Sequence, residues 1–177
     1  FKKLLIGWLL VITFWFSAAT AYAAEEFSTS YDVTYDVSVD GVTTVTEKVT
    51  LKNLTSEYYA TNFSLTIGST AITDVTASDP SGPLETKTEK KGSATTLSVK
   101  FNQQVVGAGK LLPWTLTFKS KDFASKQGSV WEVSVPKVVA SSNLEGYNLT
   151  LAVPTSFGTP TSITPSPAKQ TSDFNKL

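Results

Sequence analysis

Few residues in this chain have chemistry to offer. Ser134-Val135-Pro136-Lys137 matches the Ser-x-x-Lys acylation motif of penicillin-recognising enzymes, a pair that works on a helix where both side chains share a face. Here Pro136 stops a strand-like run and no companion motif follows, so the match is read as chance. Gly107-Ala108-Gly109-Lys110 holds part of a phosphate-binding loop. Position 104, however, is Gln104 instead of glycine, and Leu111 stands where Ser or Thr would hold magnesium. Asp32, Asp36 and Asp40 share one strand face, but residues four apart on a strand are about 13 Å apart, too far to share an ion. Asp74 and Asp79 offer loop carboxylates to calcium without EF-hand spacing behind them. Trp114 and Trp131 have the ring surface to stack on a sugar, yet each is in phase with aliphatic neighbours and reads as core. Tyr58 and Tyr59 cannot both face inward from one strand, so one of them is a candidate ligand contact. No residue is assigned to catalysis, to a cofactor or to a metal.

Composition narrows the classes further. The 177 residues carry 15 basic and 15 acidic groups, and His, Cys and Met are all absent. Every cation is lysine. Without arginine there is no bidentate fork for phosphate or guanine, and without net positive charge there is no footprint for nucleic acid, which is not expected as a partner. The missing Cys and His remove disulfides, thiol nucleophiles, imidazole metal ligands and every His-dependent triad. An apolar content of 41% is enough for a packed core.

The elements that must position these residues follow an N-terminal leader. Phe1-Lys2-Lys3 is a cationic flank, Leu4 to Phe16 an apolar run broken by Gly7 and Thr13, and Ala21-Tyr22-Ala23 a small-residue cleavage site. The expectation is a signal peptide over residues 1–23 and an extracytoplasmic protein, secreted or at the cell surface. The alternative is an uncleaved anchor, since Leu4 to Ala24 is just long enough to span a bilayer. No Cys follows the run, so no lipoprotein anchor is expected. Cleavage removes Lys2 and Lys3 and leaves 13 lysines against 15 acids.

From Phe27 to Val39 the odd positions are aromatic or β-branched apart from Thr29, and the even positions are polar. Side chains alternate faces along a strand, so this is a strand with one buried face. Asp40-Gly41 then predicts a two-residue type I′ hairpin leading into a return strand from Val42 to Lys52. Within that strand Glu47 interrupts the apolar phase of Val45, Val49 and Leu51, which predicts a bulge or the sheet's edge. Further alternating sets are Tyr59 to Ile67, Ile72 with Val75, Leu97 to Phe101, Trp114 to Phe118, Trp131 to Val135 and Tyr147 to Val153. Asp79-Pro80-Ser81-Gly82-Pro83 is a turn. Glu85 to Lys91 reads as an exposed edge strand or a loop, and Asp122 to Gly128 as one helical turn. Eight or nine short strands with no long helix predict an all-β fold, an antiparallel immunoglobulin-like β-sandwich over residues 24–154. Residues 155–177 read as a Pro/Ser/Thr-rich linker or the truncated start of a further domain, because Ile163, Phe174 and Leu177 reappear there. With no initiator Met, the chain reads as a fragment. Asn53, Asn62 and Asn148 open N-glycosylation sequons.

Tyr31-Asp-Val-Thr-Tyr-Asp-Val37, Val45-Thr-Glu-Lys-Val-Thr-Leu-Lys-Asn53, Trp114-Thr-Leu-Thr-Phe118, Gly128-Ser-Val-Trp-Glu-Val-Ser-Val-Pro136 and Tyr147-Asn-Leu-Thr-Leu-Ala-Val-Pro154 together carry a likeness. In texture they resemble the N-terminal β-domain of exported bacterial transglutaminase-like proteins. The resemblance implies a non-catalytic module that positions a downstream transglutaminase- or cysteine-peptidase-like domain at the cell surface. The catalytic Cys, His and Asp of that family belong to its later domain and have no counterpart here. Two alternatives stand beside it: a surface adhesin or structural subunit working through sheet edges, and a carbohydrate-binding module using Tyr58 or Tyr59. The partners expected are thus protein or cell-surface glycan, with membrane contact only through an uncleaved leader.

Processing at the small-residue site has a direct readout. N-terminal sequencing of the exported product should begin at Ala24; a membrane-bound product that still begins at Phe1 would establish the anchor instead.

Overall fold

The computed structural model describes residues 26–136 and 143–171. Ten strands form: β1 (Phe27–Val37), β2 (Thr43–Asn53), β3 (Asn62–Ile67), β4 (Ile72–Asp79), β5 (Gly82–Lys91), β6 (Ala94–Lys100), β7 (Leu111–Ser120), β8 (Ala124–Gln127), β9 (Val130–Val133) and β10 (Leu144–Ala152). A 3-10 turn, Thr155–Phe157, follows. The fold is all-β. Eight strands make one sheet in the order β10-β1-β2-β7-β4-β5-β6-β3, and β8 and β9 make a separate ribbon. The leader, Lys137, Phe174 and Leu177 lie outside the described residues, and so do the expectations that fall on them.

The sheet curls because β5 serves two neighbours in succession. Gly82 to Leu84 pair with β4, whereas Glu85 to Lys91 pair only with β6. The apolar faces of β1, β2 and β7 are thereby brought opposite those of β6 and β3. Phe63 on β3 and Phe101 after β6 pack on Trp114 of β7, at ring-centroid distances of 5.1 and 5.6 Å. Three strands separate β3 from β7 in the sheet order, so only curvature can bring these rings together. Around them Val33, Val45, Val49, Leu97, Val99, Leu116 and Phe118 are buried almost completely. Trp114 reads correctly as core, although its indole N–H is buried without a hydrogen-bond partner.

Several expectations are corrected. The sheet is mixed: β10 runs parallel to β1, with Tyr31 beside Tyr147 and Val33 beside Leu149. Alternation reports which face a side chain takes, not the direction of the neighbour. The start of β10 is held against β1 by the Thr29 N–H donating to the Asn143 carbonyl at 2.9 Å, and by Asn143 Nδ2 donating to the Phe27 carbonyl at 3.0 Å. The first hairpin is not a two-residue type I′ turn. The Ser38 N–H donates to the Val42 carbonyl and the Gly41 N–H to the Ser38 carbonyl, each at 2.9 Å, enclosing Val39, Asp40 and Gly41. Only Gly41 has positive φ, at 82°. Asp40 accepts from the Ser38 hydroxyl, which holds its carboxyl below the usual range. Val39 consequently lies in the loop, exposed, and is not part of β1. A two-residue hairpin does occur, at Gly128-Ser129 between β8 and β9, where a helical turn was expected. Gly128 supplies the positive φ there.

Glu47 lies neither at a bulge nor at an edge. The β2 ladder runs without interruption through it, with Val33 on one side and Leu116 on the other. Register shifts lie elsewhere: in β1 against β10 between Thr29 and Ser30, and in β4, where Asp74 adopts φ 51° and pairs with Lys119 at 2.9 Å. Glu85 to Lys91 form a true strand, inside the order but with one unpaired side. Trp131 is only partly covered and belongs to a satellite cluster, stacked on Phe157 at 4.2 Å. Gly41 is required beneath it, because a Cβ there would meet the indole at 2.7 Å.

The observed register sets a pair of contrasting outcomes. Val37 is buried and Asp36 exposed on the same strand. Val37→Asp buries an unpaired charge and should cost more than about 4 kcal/mol, enough to unfold the domain. Asp36→Ser should stay within about 0.5 kcal/mol. Equal midpoints in urea titrations of the two variants would refute the register.

Candidate functional site

Two places in the fold depart from what packing alone demands. The first is Glu47, whose alternation phase puts it in the apolar stripe of a central strand, only 6% exposed. No hydrogen bond reaches its carboxylate among the described residues, and burial pushes its pKa up from 4.5 to about 7. Tyr31 and Tyr35 on β1 and Tyr147 on β10 surround it electrostatically. Burial first, and then the Glu47 charge and Tyr147, push the Tyr31 phenol up to about 12. Tyr35 is raised further by burial, then by Tyr147 and by Glu47. Its ring meets Phe123 edge-on at 5.7 Å, and Tyr31 lies 6.1 Å from Tyr147. The cluster can bind and release a proton near neutrality. The shallow groove on Gly68, Asp122, Phe123, Ser134, Val135 and Pro136 does not include Glu47.

The second place is the loop end of the sheet, organised by Asn53. This side chain terminates β2 and is 2% exposed. Its Nδ2 donates to the carbonyls of Tyr58 at 2.6 Å and Val105 at 3.0 Å, and its Oδ1 accepts from the Thr55 N–H at 2.9 Å. Its backbone N–H donates to the Lys110 carbonyl and its carbonyl accepts from the Gly109 N–H. One residue thus ties loop 54–61 to loop 101–110. The Leu54 N–H in turn donates to the Glu26 carbonyl at 2.9 Å, drawing in the start of the described chain. A cavity of about 10 Å³, room for at most one water molecule, remains between Phe27, Leu51, Asn53, Ala60 and Val105. On the outside, Leu54, Tyr58, Tyr59, Val106 and Leu111 are between 39% and 56% exposed.

Both tyrosines singled out from sequence are therefore in solvent. Tyr59 precedes β3 and does not extend it, so neither ring is bound by strand alternation. The sequence signal missed here is Asn53, a polar residue in the buried phase at a strand end. It opens a sequon, but its amide nitrogen is closed in by two carbonyls; Asn62 and Asn148 are exposed. The Gly109 amide that would serve a phosphate loop is spent on Asn53. Asp79 caps the Ser81 N–H at 2.7 Å, and among the described residues no three acidic side chains gather where they could hold an ion. Ser134 continues the β8–β9 ribbon, its N–H donating to the Phe123 carbonyl at 2.8 Å. Buried Ser69 donates to Asp122 at 2.7 Å and contacts the Ser120 hydroxyl at 3.2 Å.

No protein-family model and no curated protein matches this chain. Function must be argued from these two places.

The Glu47 carboxyl carries a pH signature of known sign. Its folded pKa of about 7 lies above its ordinary 4.5, so the folded state holds the proton more tightly than the unfolded one. The cost to stability is absent below about pH 4.5, grows between about 4.5 and 7, and is complete above, reaching on the order of 3 kcal/mol. Glu47→Gln should remove that slope and raise the melting temperature at pH 8 but not at pH 4. A variant that parallels the parent across this range would show that the carboxyl is not desolvated.

Proposed function

We propose that this chain is a non-catalytic exported module that positions a catalytic domain at the cell surface. The curled sheet is taken as an immunoglobulin-like β-sandwich whose layers share β5. The single observation that carries the reading is the Asn53 construction. A buried amide rigidifies two loops whose outward side chains are apolar and aromatic, which is how a contact surface is built and not how a reaction is run. The likeness of the strand texture to the front domain of exported transglutaminase-like proteins supports the same reading and supplies the class of the positioned chemistry. A leader ending at Ala23 supports the location.

A second reading has its own observation. Edge strand β10 carries no charge from Gly146 to Ala152, and Leu149 and Leu151 on it and Val153 just after it are exposed. An unprotected edge of this kind favours strand addition, the habit of an adhesin or structural subunit.

Deleting residues 26–153 from the protein as its host makes it distinguishes the two. Under the first reading the transglutaminase- or peptidase-like activity survives but leaves the cell surface for the medium. Activity that stays at the surface after the deletion, or that is found in the purified chain itself, overturns it.

A further inference from the structure

The apolar face of β1 continues onto β10. Their parallel register puts Tyr147 beside Tyr31, Leu149 beside Val33 and Leu151 beside Tyr35, so these β10 residues extend the buried stripe on one face of the sheet. Val33 and Tyr35 are 1% and 4% exposed, whereas Leu149 and Leu151 are 41% and 42% exposed. The core stops one strand short of this edge. At the opposite edge it does not, since Phe63 and Leu65 of β3 pack against the core cluster. Nor is β10 guarded as edges usually are, by charge, proline or a bulge. From Gly146 to Ala152 its register on β1 is regular and no residue is charged. Glu145, the one charge in the strand, is held by Lys52 at 3.0 Å and by Ser28 at 2.8 Å. Among the described residues no strand pairs with the outer side of β10.

The order of residues in β10 identifies the strand that fits there. Laid antiparallel against its own copy about Leu149, the strand meets a residue of like kind at each position. Leu149 meets Leu149, Tyr147 meets Leu151, Asn148 meets Thr150, and Gly146 meets Ala152. Glu145 falls opposite Val153, so no like charges are opposed. A two-fold axis normal to the sheet keeps both inward faces on one side. Tyr147, Leu149 and Leu151 of the two copies then form one apolar stripe, while Asn148 and Thr150 bring hydrogen-bonding side chains together on the wet face. A partner of unrelated sequence leaves this symmetry unused; a second copy uses every position of it.

We infer that β10 is the interface of an isologous dimer, in which two copies of this chain pair antiparallel about Leu149 and join their sheets edge to edge. This rests on the reading of β10 as an edge for strand addition and names its occupant.

The chain has no cysteine, so an introduced thiol is unique. In the dimer the two Leu149 Cα atoms face each other at about 4.5 to 5.5 Å, within disulfide reach. The two Leu151 Cα atoms are four residues out of step, about 13 Å apart. The full chain as its host exports it, carrying Leu149→Cys, should therefore oxidise to a covalent dimer at least about tenfold faster than with Leu151→Cys. A contact one strand long lies at the small end of specific interfaces, so sedimentation of the parent between about 5 and 500 µM should show monomer and dimer in equilibrium. Leu149→Lys sets two like charges face to face at a position exposed in the single chain, and should hold it monomeric with the circular dichroism of the strands unchanged. Equal oxidation at both positions, assemblies that grow beyond two copies, or a parent that is monomeric throughout would each overturn the proposal. In the monomeric case amide exchange tells which reading has failed. Fast exchange of alternate β10 amides removes the dimer alone and leaves the edge open to another strand. Slow exchange along all of β10 shows an edge already covered and removes the strand-addition reading with it.

Discussion

Trp114 is the point at which one sheet meets itself, and the rest of the molecule depends on that contact. An eight-stranded sheet with apolar stripes on β1, β2 and β7 has no helix among the described residues to cover them. Cover comes from the far limb of the same sheet, with Phe123 and Val135 beside the β8–β9 ribbon adding to it. Phe63 and Phe101 close on the indole from β3 and the end of β6, and burial of three aromatic rings at one point supplies a large share of the cohesion. The curl then has to be made somewhere, and it is made where β5 changes partner. Asp79-Pro80-Ser81-Gly82-Pro83 turns the chain just before that change, with Gly82 at φ 130°.

The same closure explains why Glu47 is so costly a residue. In a flat, half-solvated sheet a carboxylate in the buried phase could lean out to water. Here β1 and β7 flank it, and Val33 and Leu116 stand directly beside it. Protonation is the relief available. Burial first, and with it the Glu47 charge, raises the pKa values of all three nearby tyrosines, so their phenols stay neutral near pH 7. A fold that tolerates such a group holds a proton-sensitive centre beside β1 and β10, which pair in parallel.

Loop ends of the curled sheet are free of this constraint, and there Asn53 substitutes hydrogen bonds for hydrophobic cover. Five bonds from one residue hold two loops that have no apolar core of their own. That allows their leucine, valine and tyrosine side chains to face outward without the loops collapsing onto them. The satellite ribbon follows similar logic at the opposite hairpin, where Trp131 lies over Gly41 and under Phe157.

What the sequence determined by itself was local. Alternation in β1, β2, β6 and β7 named the buried side chains, from Val33 to Phe118, because the two-residue period of a strand is a property of the backbone and needs no partner. It also placed the turn at Asp79 to Pro83, where proline and glycine act on their own dihedral angles. Direction of pairing, the change of partner in β5, the fate of Glu47 and the exposure of Tyr58 and Tyr59 were decided only by the tertiary structure. Each depends on what lies across a gap from residues distant in the chain. A strand reads the same whether its neighbour runs parallel or antiparallel, a glutamate in an apolar stripe reads the same at an edge or in the centre, and Asn53 reads as a turn residue until the two loops it joins are seen to meet.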